Sequence, residues 1–422
     1  MKRSSESLIT AWSVIAVCAA FYSYDVLLRI APGVMKQELM AHYHVNSAVL
    51  SGITSVYFLV YAPMQLPVGM LMDKYGPRLL LSLSGIVCAL GIGLFSATSL
   101  VSIAMLSRVL VGIGSAFAFV GVLKLASIML PPNRFAFVSG LTMALGKFGA
   151  MMGDHLIPHL LIAESWQAVC MQAAILGFVL TVVMITVIPS GVHKQQDRGE
   201  VSSFSEVWYA VTVLAKNPMM WAIALVGCLS YTPLTLYAEH FGIECLELKY
   251  GIERVEASSL ISTLFLGWML GGPLVCSFSD YIQSRKKAMT YGLFLSLVCC
   301  IAVLYLPVPI ELMPYLMILF GMANSVQVIA FPMAQEVGDK RFTATAIALT
   351  NMVCMLSGLL QGIIGWLYDY TRWVVMKSGM IGNCDLISYR VAYLPLPFFL
   401  LCAIIITLYM KETYGMEADC CN

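Results

Sequence analysis

The sequence predicts an all-α membrane protein of twelve transmembrane helices arranged as two six-helix pseudo-repeats. Three observations carry that prediction. The chain has 422 residues, of which 60% are hydrophobic and only 11% charged, against roughly 25% charged residues in soluble globular chains. Its apolar runs reach the length of about 20 residues that a helix needs to cross a bilayer. A loop pattern in the first half returns 207 residues later in the second.

The twelve runs fall at roughly 8–31, 47–72, 78–98, 101–130, 135–161, 166–189, 219–241, 257–279, 288–308, 312–336, 342–367 and 390–410. Met1-Lys2-Arg3 precedes the first, and no A-x-A-like cleavage site follows it, so it reads as a retained helix and not a signal peptide. The longest polar stretch between spans follows the sixth. It carries His193-Lys194-Gln195-Gln196-Asp197-Arg198 and then an amphipathic segment from Phe204 to Ala215. The expected organisation is a six-helix half over 1–189, a cytoplasmic linker over 190–218 and a second six-helix half over 219–422.

Orientation follows from the basic residues of the loops. With the N-terminus inside, inner segments hold fourteen of the 24 Lys and Arg, including Lys74, Arg78, Arg134, Lys216, Arg285, Lys286, Lys287, Lys340 and Arg341. Outer segments hold six and the spans four. Both termini are expected in the cytoplasm. With the lipid bilayer as surroundings, a bacterial inner membrane is the expected location.

Several classes are excluded. A net charge of +1 gives no basic field for nucleic acid. The chain has no HExxH, GxSxG or GxxxxGK[ST] pattern, so no enzyme signature and no site for intrinsic ATP-driven transport are present. Most of the 13 cysteines lie in apolar runs as small hydrophobes, and none shows metal-ligand spacing. No cofactor or metal is expected. Cys245 and Cys384 fall in outer loops, and their pairing is open.

The repeated loop reads Gly69-Met70-Leu71-Met72-Asp73-Lys74-Tyr75-Gly76-Pro77-Arg78 between spans two and three. Its copy, Cys276-Ser277-Phe278-Ser279-Asp280-Tyr281-Ile282-Gln283-Ser284-Arg285, lies between spans eight and nine. Asp and Arg stand five apart in both, and Arg134-Phe135 and Arg341-Phe342 keep the same offset. An internal duplication is the simplest account. The pattern Gly69-x-Leu71-x-Asp73-x-x-Gly76-x-Arg78 resembles the most diagnostic motif of the major facilitator superfamily, with Asp280 and Arg285 in its degenerate copy. Gly69 permits close helix approach, and Asp73 can pair with basic groups or a neighbouring helix N-terminus. The resemblance implies that Gly69, Asp73, Gly76, Arg78, Asp280 and Arg285 latch one conformation of a rocking transporter.

Arg108-x-x-x-Gly112-x-Gly114-x-Ala116 in span four is similar to the family motif whose intramembrane arginine is tied to proton coupling. Gly140, Gly149 and Gly153 match part of the antiporter motif. Asp154 stands where that motif has proline, which weakens an efflux reading. Phe21 to Met35 resembles span one of bacterial nutrient importers, among them the anion:cation symporters and the phagosomal nutrient transporters of intracellular bacteria; the latter branch implies amino-acid or nucleoside uptake.

Ionisable groups inside a span are functional candidates by default. Asp25 lies roughly 9 Å and Arg108 roughly 10 Å below the outer boundary at 1.5 Å per residue. The resemblance puts spans one and four together, so a salt bridge between them is expected, with Arg29 as a competing partner at i,i+4. A carboxylate beside a cation stays ionised, and one stripped of it in low dielectric takes up a proton. Asp25, Arg108 and Arg29 are the proton-coupling candidates. Lys124, about 9 Å from the inner end, reads as a snorkelling lysine. Lys147 is mid-membrane, roughly 18 Å from the inner end, between Gly146 and Gly149. Asp154, Glu239, Glu336, His155, His159 and His240 read as solvated span ends, with Glu239 the best exception. The second half offers Tyr231, Thr235, Asn324, Gln327 and Asn351. Lys147, Glu239 and these five are the substrate-binding candidates. The deep charges are three cations and one anion, which favours a carboxylate-bearing substrate.

The expected function is proton-coupled import of a small carboxylate-bearing nutrient, such as an amino acid, by alternating access of a monomer. Proton-driven efflux of a drug or siderophore-like metabolite, and a non-transporting membrane sensor, are the alternatives.

Overall fold

The computed structural model describes residues 5–45, 47–190, 204–339, 342–377 and 384–415. The described residues form helices and connecting turns, with no strand among them. This is the fold that hydrocarbon imposes, because a helix satisfies every backbone polar group within its own segment. Eleven helices are long and apolar enough to cross a membrane, and Thr343–Gly358 is a shorter apolar helix. With it the count of twelve spans is met, and the chain is an integral, multi-pass membrane protein.

In the first half the spans are Ser5–Val34, Ser47–Tyr75, Pro77–Ala97, Val101–Met129, Pro132–Ala163 and Trp166–Val187. Each is one continuous helix. Span two stays unbroken although it contains Pro63 and Pro67. Gly76, at the N-cap of span three, has φ 80 and ψ 159, a conformation open to glycine alone among residues of ordinary stability.

The second half is built differently. Span seven begins as Pro218–Thr232 and continues as a π-helical stretch, Pro233–Phe241. Pro233 brings no N–H to the ladder, which marks the break. Span ten runs Met313–Asn324, tightens to a 3-10 segment at Ser325–Ile329 and resumes as Ala330–Val337. Span eleven runs Thr343–Met355, tightens at Leu356–Leu360 and resumes as Gln361–Lys377. Spans eight, nine and twelve are Arg254–Tyr281, Arg285–Tyr305 and Pro395–Tyr409.

The chain forms two compact units. The first comprises Met1–Val138, Thr142–Leu214 and Gly338–Leu349, and the second Ser139–Leu141, Ala215–Val337 and Thr350–Asn422. In the first, span four packs against spans one, two and three, and span six against spans one and three. In the second, span ten packs against spans seven, eight and nine, and span twelve against spans seven and nine. The amphipathic helix of the linker is Phe204–Lys216. Its Val211 packs with Met70, Phe342 and Leu66, while Trp208 and Tyr209 are exposed. The polar run 193–198 and the inner cations Lys2, Arg3, Lys340 and Arg341 lie outside the described residues. Cys245 is buried with a free thiol.

Candidate functional site

A cluster of buried polar groups lies in the first unit, on spans one, two and four. Asp25 and Arg108 are both almost fully buried. The direct salt bridge between them is not formed. The Arg108 guanidinium donates from Nη1 to the Leu28 carbonyl at 3.3 Å and lies 5.2 Å over the ring of Tyr57. The two side chains share one neighbourhood, but the guanidinium is drawn aside by a carbonyl and an aromatic face. Arg29 is half-buried and, with Arg108, within electrostatic reach of the Asp25 carboxylate. Asp25 Oδ1, Arg108 Nε and Nη2, Tyr57 OH and Ser115 Oγ have no hydrogen-bond partner among the described residues. Leaving such groups unpaired in a low-dielectric interior costs about 1–3 kcal/mol each, more where charged. A cluster of them is suited to a proton, water or a polar solute.

Lys147 is half-buried on span five. The glycines around it are required by packing. A Cβ on Gly146 would stand 2.5 Å from Tyr22 Cε1, and one on Gly149 would run into the backbone of Ser23. Ser23 Oγ donates to the Leu145 carbonyl at 2.7 Å. Spans one and five therefore touch along the stretch that carries Lys147.

In the second unit the breaks in spans ten and eleven both pack on span seven. Asn324 and Gln327 are buried, and a 3-10 segment eclipses residues three apart. Both polar atoms of the Asn324 amide and Oε1 of Gln327 lack a partner among the described residues. Gln327 Nε2 faces Cys354 Sγ at 3.6 Å. Tyr231, Thr235 and Asn351 are buried as well, and the Thr235 hydroxyl donates to its own helix at Tyr231 O. Glu239 is exposed at the end of the π-helical stretch. The side chains of Asp154, His155 and His240 lie outside the described residues, and His159 is exposed.

Asp73 is fully buried and takes four donors. Oδ1 accepts from Lys124 Nζ at 2.7 Å and from the Ala344 N–H at 3.1 Å, and Oδ2 from the Thr345 N–H at 2.8 Å and hydroxyl at 2.7 Å. The N–H groups belong to the first turn of span eleven, where the helix dipole favours an anion. Gly69 allows this approach, since a Cβ there would lie 2.7 Å from Ala348 Cβ and 2.8 Å from the Ala344 carbonyl. The reading of Lys124 as a snorkelling lysine is corrected: it is wholly buried and ion-paired with Asp73. The partner stands 51 residues away on another helix, so depth arithmetic did not find it. Arg78 takes no part. It is half-buried, and its Nη2 donates to the Ile185 carbonyl at 3.1 Å, near the end of span six. With Lys124 neutralised by Asp73, the deep charges left are Asp25, Arg108 and Lys147, still cationic in balance.

The degenerate copy is wired differently. Arg285 pairs with Asp280 at 2.6 Å and with Glu336 at 2.9 Å. Glu336, expected as a solvated span end, is instead engaged by Arg285 and by the Thr413 hydroxyl at 2.9 Å. Just past span twelve, Glu412 accepts from Ser284 Oγ and from the backbone N–H groups of Arg285, at 2.8 Å, and Lys286. It caps the start of span nine. Lys286 Nζ in return donates to the Leu408 carbonyl at 2.6 Å near the end of span twelve. The Arg285 guanidinium lies 4.9 Å over the Tyr414 ring. No spacing rule pointed to 412–414, because their partners are set by the fold. No group of three or more His, Cys, Asp or Glu able to hold a metal occurs among the described residues.

The model of the Major Facilitator Superfamily matches residues 14–362. The chain belongs to this superfamily. Its members are transporters and not enzymes, and the expected fold is thereby established. The solved structure of the proton:xylose symporter XylE, bound to 6-bromo-6-deoxy-D-glucose, superposes with a TM-score of 0.71 at 13% identity, covering 99% of this chain and 98% of that one. The Escherichia coli fucose:proton symporter FucP superposes with a TM-score of 0.67 at 13% identity, covering 95% and 99%. At such identity these likenesses show the fold alone. An uncharacterised transporter of Bacillus subtilis, YybO, is 23% identical over 47% of this chain and 45% of its own length. A probable galactarate/D-glucarate transporter of the same organism, GudP, is 20% identical over 69% of this chain and 68% of its own length. The matched part of the superfamily chain thus spans less than half the length of the first of these relatives.

Proposed function

We propose that this superfamily member is a secondary active transporter that imports a small carboxylate-bearing nutrient, such as an amino acid, together with protons. The observation that carries the reading is the buried cluster of Asp25, Tyr57, Arg108 and Ser115, in which Asp25 Oδ1, Tyr57 OH, Arg108 Nε and Nη2 and Ser115 Oγ lack a partner among the described residues. Asp25 is the proton carrier: ionised when Arg108 or Arg29 shields it, protonated when the cation moves off. Arg108 already engages Leu28 through Nη1 and holds two nitrogens, Nε and Nη2, in reserve. Lys147 and the uncharged groups Tyr231, Thr235, Asn324, Gln327 and Asn351 serve the substrate, with Glu239 at the edge of that set.

Solved fold neighbours are named as proton symporters. One relative is named for galactarate and D-glucarate, both carboxylates. These names support coupling and substrate class. The halves 1–189 and 219–422, joined by 190–218, alternate access to the site. Asp73 with Gly69 and Gly76, and Asp280 with Arg285, latch one state, and Arg78 helps to close its end of span six. The protein works as a monomer in a bacterial inner membrane with both termini in the cytoplasm.

The test is uptake of labelled amino acids and small organic acids into proteoliposomes, with and without an inward proton gradient, with Asp25→Asn protein alongside. Gradient-driven accumulation that the substitution abolishes is the expected result. Accumulation untouched by it removes Asp25 as the coupler. No accumulation under any condition overturns import and leaves efflux or a non-transporting sensor.

A further inference from the structure

We infer that Lys124 is the charge partner that allows the Asp73 latch to open, a role that Arg78 does not fill. The inference rests on the reading of Asp73 as a latch. Asp73 holds two kinds of partner. Three donors, the N–H groups of Ala344 and Thr345 and the Thr345 hydroxyl, come from the start of span eleven. The fourth, Lys124 Nζ, comes from span four. Spans two and four are packed closely at this level, since a Cβ on Gly121 of span four would stand 2.9 Å from Met72 Cε of span two. Asp73 and Lys124 therefore stay together, while the contacts to span eleven are the ones a latch must release.

The chemistry of release depends on what the carboxylate keeps. A buried carboxylate that loses three donors and has no counter-ion bears a heavy desolvation cost. With Lys124 at 2.7 Å and both side chains fully buried, the pair remains neutral as a unit, and opening forfeits hydrogen bonds only. Lys124 shares Oδ1 with the Ala344 N–H of the helix N-terminus. Its removal leaves the whole anionic charge to Ala344 and Thr345, in a low-dielectric setting where such bonds strengthen. Loss of Lys124 thus tightens the latch, whereas loss of a merely structural ion pair would loosen the surrounding helices.

That difference in sign is measurable without a substrate. Hydrogen–deuterium exchange of the full-length protein in detergent reads the amides of 344–349. In Lys124→Met these amides are expected to exchange about tenfold more slowly than in wild type, the effect of strengthening a charged hydrogen bond. In Asp73→Asn/Lys124→Met, a neutral pair, they are expected to exchange faster than in wild type. Lys124→Arg keeps the charge and the wild-type rate. Lys124→Gln replaces Lys124→Met if the latter does not fold. Unchanged or faster exchange in the charge-removing single variant overturns the inference. An unchanged rate in the double variant overturns the latch reading itself, and the two failures are told apart by which variant shows them.

Discussion

Gly76 and Gln283 hold the same place in the two repeats and both have a positive φ, 80 at the glycine and 52 at the glutamine. They are 207 residues apart, the offset that relates Asp73 to Asp280 and Arg78 to Arg285. The turn has outlived the residue best suited to it. A side chain in the left-handed region costs about 1–2 kcal/mol, partly offset by the lower entropy of the unfolded chain. Gln283→Gly is expected to stabilise the protein by about 0.5–1 kcal/mol and Gly76→Ala to destabilise it by more. Thermal unfolding in detergent compares both with wild type.

Gly69 is held to glycine by the approach of span eleven. Gly69→Ala places a methyl against Ala348 and the Ala344 carbonyl, and overpacking of this kind costs about 1–3 kcal/mol. A lowered melting temperature is expected. Ala348→Gly added to it removes one of the clashing atoms and is expected to recover part of the loss.

Glu412 sets a pH dependence outside the bilayer. Burial works to raise its carboxyl, but the bonds from Ser284 Oγ and from the N–H groups of Tyr414, Arg285 and Thr413 outweigh that and hold it below the usual carboxylate range. A depressed carboxylate stabilises the fold above its unfolded value of about 4.3 and loses that contribution as pH falls through the folded one. Glu412→Gln is expected to cost about 1–2 kcal/mol at neutral pH. The difference from wild type shrinks as the solution is acidified below about pH 4. Melting curves of both proteins across pH read this directly.

Arg108 performs two tasks that need a planar fork, a bond to Leu28 O and a face-on stack over Tyr57. Lysine keeps the charge and loses the plane. Arg108→Lys is expected to lower gradient-driven uptake about tenfold with little change in melting temperature. Equal uptake by the two proteins would show that charge alone is used.

Much of this was legible in the sequence. Apolar length located the spans, because hydrocarbon leaves the backbone few options. The duplication was visible in Asp73 and Asp280, and Asp73 was expected to pair with basic groups or a neighbouring helix N-terminus; its carboxylate meets Lys124 and the first turn of span eleven. The rest depended on rotation about helix axes, which depth arithmetic does not provide. Depth matched Asp25 to Arg108 but did not show that Leu28 O and Tyr57 take the guanidinium. The same limit hid Lys124 from Asp73, and Glu336 from Arg285. The 3-10 segment at Ser325–Ile329 contains neither Gly nor Pro, so no residue announced it.

The pair of Asp73 and Lys124 also bears on how the chain is made. Span four carries Arg108 and Lys124 into the bilayer, and a bare cation within a span carries an insertion cost that reaches about 2.5–3.5 kcal/mol at the helix centre. Span two, with its carboxylate, is synthesised first. If span two waits beside the insertion machinery, the later segment meets its counter-charge on arrival. Asp73 then acts before the protein has a fold to latch, as an escort for the lysine that follows it through the translation order.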